Sequence, residues 1–203
     1  MTLHFINAQL IDPEAGTVTR GTLRVEDGKI AAVLDDTAPI PGDAQVVDCG
    51  GKYLAPGIVD LGVKVCEPGE RHKESFRSAG LAAAAGGVTT MVTRPDTDID
   101  SPEVLEFVTR RANEAAPVNV VPMAALTKGR EGREMTEIGF LMDAGAVGFT
   151  DCDRVVTDTK VFSRALTYAR SLGALVIAHP QEPILSKGAA VTSGKFASLR
   201  GLP

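Results

Sequence analysis

Cysteine is scarce in this chain, with three residues in 203, at positions 49, 66 and 152. No two form a C-x-x-C pair and one is left over, so free thiols in a reducing cytoplasm are expected. A positive excess is also missing. The net charge of −5 gives no electrostatic footprint for nucleic acid, and none is expected as a partner. No apolar run approaches the roughly 18 residues of a membrane span. Met1-Thr-Leu-His lacks the basic and apolar regions of a signal peptide. The expected location is cytoplasmic, with no membrane partner. The chain has no internal repeat, low-complexity segment, Gly-rich phosphate loop or G-x-S-x-G elbow. What remains is ordinary for a soluble globular protein: 44% hydrophobic and 23% charged residues. Its length suffices for one domain with a sizeable core and a small appendage.

Residues 3 to 52 read as short strands. His4–Ile11 ends at Asp12-Pro13, and Gly21–Glu26 alternates apolar and polar side chains. Asp27-Gly28 turns the chain back into Lys29–Leu34, and Ala44–Asp48 follows a Pro-rich loop. These strands predict a small β-sandwich segment over 1–52. From 53 to 203 strands and helices alternate, the sign of βα units. Strands are expected at 54–63, 88–93, 118–125, 146–150 and 174–178. Helices are expected at about 74–85, from 101 onward, and at 135–144 and 160–172. The fold class is α/β, with five strands of a TIM-like barrel. A closed (β/α)₈ barrel needs eight strands in about 250 residues. The chain therefore reads as roughly half of a longer protein, a proteolytic fragment, or a half-barrel completed by a partner chain.

One stretch is specific. Leu54-Ala-Pro-Gly-Ile-Val-Asp-Leu61, then Glu67-Pro68-Gly69 and His72-Lys73-Glu74, resembles the opening barrel strand of the dihydroorotases, cyclic amidohydrolases of the amidohydrolase superfamily. In that family the segment reads D-x-H-x-H-L-R-E-P-G. The resemblance implies that two His bind catalytic zinc and the Arg binds the substrate carboxylate. Here Gly62 and Lys64 stand at the histidine positions and Cys66 at the arginine. Arg94-Pro95-Asp96-Thr97 resembles the family's M-P-N-T, with Asp96 in place of a substrate-contacting Asn. Phe149-Thr150-Asp151-Cys152-Asp153 resembles F-T-D-D-G, which makes Asp151 a vestigial metal carboxylate, or else a loop cap. Ala178-His179-Pro180 resembles A-H-C, in which the His is a zinc ligand.

Functional residues of such barrels sit at the C-terminal strand ends. Strand alternation predicts that Asp60, Gly62 and Lys64 share one face in the mouth. Lys64 is expected there as a cation within about 4 Å of a carboxylate such as Asp151 or Asp60, or else snorkelling to solvent. His72 reads as a helix cap and His4 as a satisfied or exposed residue. Two functions follow from the resemblance. One is a catalytically inactive dihydroorotase-like protein of pyrimidine biosynthesis that binds no cofactor and acts as a structural partner of aspartate carbamoyltransferase, or self-associates. The other is a zinc-dependent cyclic amidohydrolase acting on a cyclic amide.

Overall fold

The computed structural model describes residues 2–202, which fall into two compact units, Met1–Gly57 and Ile58–Pro203. The strands expected to form a sandwich lie in a single sheet. The central strand β1 (Thr2–Asp12) pairs antiparallel with β2 (Thr17–Glu26), and β3 (Lys29–Leu34) continues from β2. On its other edge β1 pairs in parallel with β4 (Gln45–Asp48) and then with β5 (Tyr53–Leu54). Asp27 and Gly28 carry φ of +48° and +76°. Positive φ at both central residues is the turn that matches the twist of a two-residue hairpin. β2 starts four residues before the expected Gly21, because Thr17–Arg20 stay in register with Gln9–Asp12. His4 is buried, and its Nδ1 has no partner among the described residues, unlike the expectation for it.

The expected strand 54–63 is broken. Pro56 and Gly57 interrupt it, so Tyr53–Leu54 joins the first unit and β6 (Ile58–Val63) opens the second. There β6, β7 (Val88–Thr93) and β8 (Asn119–Pro122) form a parallel sheet. Two further parallel positions follow as single bridge pairs, Ala124 with Phe149 and Phe149 with Val176. Backbone bonds extend them: Thr150 N donates to Ala124 O, and Ile177 N to Phe149 O. The order is thus that of the five expected strands. β6 is an edge strand, and Leu61 is 75% exposed rather than buried on most sides.

Helices cover one side of this sheet. In α1 (Phe76–Ala85), Ser75 and Ser78 form a reciprocal capping box, so Ser75 and not His72 caps the helix. α2 (Pro102–Ala115) has Pro at its first position. α3 (Ile138–Asp143) is shorter than expected, since Met135 bridges to Thr127 and Thr136 N donates to Leu126 O. In α4 (Thr159–Leu172), Asp158 caps the start and Gly173 turns left-handed at the end. A short α5 (Lys195–Arg200) has no counterpart in the sequence reading. The core lies between sheet and helices: Met91, Val120, Ala124 and Phe149 meet Phe76, Leu105, Val108, Ile138, Leu141 and Ala165.

Candidate functional site: the barrel mouth

At the end of β6 the alternation fails at Gly62. Leu61 pairs with Val92 and Val63 with Thr93, so Gly62 is an extra, unpaired residue with φ +83°. This is a bulge of the kind in which glycine supplies the left-handed residue. It resets the phase of everything beyond it. Val63 and Val65 both pack on the core between sheet and helices, and Lys64 between them is exposed. The expected ion pair is therefore absent: among the described residues Lys64 has no salt bridge. Its electrostatic influence falls on exposed Glu70, whose carboxyl is lowered chiefly by a hydrogen bond from Lys73. Asp60 also leaves the expected face. It is in register with Met91, which packs under the helices, while Leu61 lines the inner cavity.

Beyond the bulge Cys66 is half-buried, and Glu67 is buried. Glu67 Oε1 accepts from Arg111 Nε at 2.9 Å and lies 3.5 Å from Arg71 Nε. Its Oε2 accepts from the first amide of α1, at Phe76. Burial alone would raise the Glu67 pKa. The Arg111 hydrogen bond, the Phe76 amide and the fields of Arg111 and Arg71 outweigh it and hold the carboxyl below its usual range. The sequence reading named Glu67 only within the Glu67-Pro68-Gly69 motif and gave it no role.

At the end of β7, Arg94 and Asp96 pair with each other. Arg94 Nε donates to Asp96 Oδ2 at 3.0 Å and Nη2 to Oδ1 at 2.6 Å. This bond raises the Arg94 pKa against a smaller opposing effect of burial. Arg130, buried and at φ +52°, donates from Nη2 to the Asp96 carbonyl at 2.6 Å. Sequence reasoning missed Arg130, which lies in a polar loop with no periodicity to place it.

At the fourth strand position Asp151 is 4% exposed. Its Oδ1 accepts from the amides of Leu126 and Thr127, both at 3.0 Å, and its Oδ2 from Thr127 Oγ1 at 2.5 Å. Asp151 ties the fourth strand end to the loop after β8. Its neighbours Thr150 and Cys152 face a central cavity of about 660 Å³, also lined by Gly62, Arg94 and His179. Asp151 instead lines a second cavity of about 310 Å³ beside α4. Burial pushes the Cys152 thiol up, and the Asp96 carboxylate adds to this. At the fifth position His179 is exposed and borders both cavities, with Nε2 2.8 Å from Gln181 Oε1.

The mouth thus brings Gly62, Arg94, Cys152 and His179 around one cavity, with Asp96 behind it clasping Arg94, and Lys64 and Asp60 do not line it. These residues do not fit a resident zinc ion. Gly62 offers no ligand and Lys64 an exposed ammonium. The oxygens of Asp151 accept three protein hydrogen bonds. Among the described residues no group of three or more His, Cys, Asp or Glu is placed to hold a metal ion. No helix among them is long and apolar enough to cross a membrane.

Comparison with known proteins gives a consistent picture. The chain is 37% identical over 197 residues to the dihydroorotase of Syntrophus aciditrophicus, which covers 96% of this chain and 46% of the relative. It is 38% identical over 206 residues to a dihydroorotase-like protein of Pseudomonas putida, covering 100% and 48%. The chain therefore spans about half the length of the curated relatives it matches. Among solved structures, the L-hydantoinase of Arthrobacter aurescens superposes with a TM-score of 0.74 at 23% identity, over 87% of this chain and 40% of that one. That likeness is one of fold, and it makes the second unit part of a TIM-type barrel. The family model for dihydro-orotase-like proteins matches residues 51–203, and the chain belongs to that family.

Proposed function

We propose that the chain is the N-terminal part of a dihydroorotase-like protein of pyrimidine biosynthesis that does not hydrolyse dihydroorotate and instead serves as a structural partner of aspartate carbamoyltransferase. The observation that carries this reading is Asp151. A carboxylate serving a metal and its water must present free oxygens, and a metal is what brings the pKa of water from about 16 toward 7. Asp151 accepts two hydrogen bonds at Oδ1 and a third at Oδ2, so most of its acceptor capacity goes to Leu126 and Thr127. Asp96 puts a carboxylate, already clasped by Arg94, where the resemblance implies a neutral amide for an anionic substrate. The likeness to the dihydroorotase of Syntrophus aciditrophicus and the dihydroorotase-like protein of Pseudomonas putida supports the family part of this reading.

The test uses full-length protein, with and without added zinc, assayed on dihydroorotate and carbamoyl aspartate. It is then mixed with aspartate carbamoyltransferase for gel filtration. The expected outcome is no turnover and co-elution. Zinc-dependent turnover, or independent elution at micromolar concentrations, overturns the proposal.

A further inference from the structure

The residues that disqualify the mouth as a metal site are arranged around one another. A Cβ added at Gly62 would meet Arg94 Cδ at 4.0 Å. The Arg94 stem thus lies at van der Waals distance from the place where a side chain at position 62 would begin. The guanidinium at its end is clasped at two points by Asp96, whose side chain is 9% exposed against 31% for Arg94. The Asp96 carbonyl is fixed in turn by buried Arg130, so the loop after β7 is anchored from both sides. Arg94 also feels the fields of Cys152 and Asp153 across the cavity. Three departures from the resembled motifs, at 62, 94 and 96, therefore form one contact. Asp96 alone would leave a nearly buried carboxylate without a partner, and Arg94 alone an uncompensated cation.

We propose that the Arg94–Asp96 pair, seated against the Gly62 bulge, is a metal-free keystone. It pins the loop after β7 at the mouth, and its guanidinium lines the cavity with its charge already balanced by Asp96. The mouth then forms without metal and does not take one up. This inference rests on the non-hydrolytic reading of the mouth but fails separately from it.

The test is a double-mutant cycle on full-length protein: Arg94→Met, Asp96→Asn and both together. Thermal unfolding is followed in EDTA and in equimolar zinc, with metal content measured after dialysis. The wild type is expected to unfold at the same temperature in both buffers and to retain no stoichiometric zinc. Arg94→Met is expected to lower Tm by several degrees, and the double variant to recover at least half of that loss. If Arg94→Met yields no folded protein, a folded double variant meets the prediction and an unfolded one overturns it. Single losses that simply add overturn the keystone, as does one zinc per wild-type chain with a raised Tm. Turnover of dihydroorotate by a zinc-free protein with a coupled pair sinks the proposed function and leaves the keystone standing.

Discussion

Asp151 shows how one residue type supports two chemistries until its neighbours are known. The F-T-D motif placed it, and its oxygens turn to Leu126 and Thr127 rather than to the central cavity. Asp151→Ala should leave two buried amides and a hydroxyl unpaired, at a cost of about 2–4 kcal/mol. Urea denaturation checks this, and a loss under about 1 kcal/mol would count against the clamp. Gly62→His, which restores the resembled residue, should cost about 1–2 kcal/mol because φ there is +83°. The measurement is the same; a neutral result would mean the bulge can relax. Glu67 makes a prediction in pH. Its folded carboxyl is held below its unfolded value of about 4.3. The stability it contributes is full above about pH 4.3 and is lost as pH falls through the lower folded value. Glu67→Gln should therefore flatten the acid limb of the stability curve, as read by denaturant midpoints between pH 7 and 3. An unchanged limb would show that Glu67 does not carry it.

Among the elements, the extents of α1, α2 and α4 were legible because their signals are local, though Ser75 and not the expected His72 caps α1. Ser101-Pro102 preceded α2, and Gly173 ended α4. Asp158 is the clearest cap, accepting from the amides of Lys160 and Val161. Asp158→Ala should destabilise the protein by about 1 kcal/mol. A shift in the urea midpoint too small to resolve would show that tertiary packing, not the cap, holds the first turn of α4. Elements decided by remote pairing were read less well. The Met135 bridge to Thr127 shortened α3, and Pro56-Gly57 divided a run whose apolar character had suggested one strand. The bulge at Gly62 could not be seen in sequence, since a glycine in a strand equally fits a regular position.

At the scale of the whole molecule, the second unit is a barrel with its inner face open. Leu61, Val147, Leu175 and Ile177 are exposed beside the central cavity, and β6 offers an unpaired edge. Apolar surface next to a free strand edge favours association. The 203-residue polypeptide should sediment as concentration-dependent oligomers, and a monomer at every concentration would refute this. The sequence by itself determined the order of strands and helices, the family, and the identity of the residues at each strand end, because these follow from periodicity, turn chemistry and motif spacing. Only the tertiary structure decided where those residues point. Side-chain direction in a strand has period two, so one bulge residue at Gly62 shifts the phase beyond it: Val63 and Val65 pack on the core, Lys64 is exposed, and Arg94 lines the cavity. Whether Asp151 faces a cavity or a loop depended on backbone amides 24 and 25 residues away, a distance that no local pattern spans.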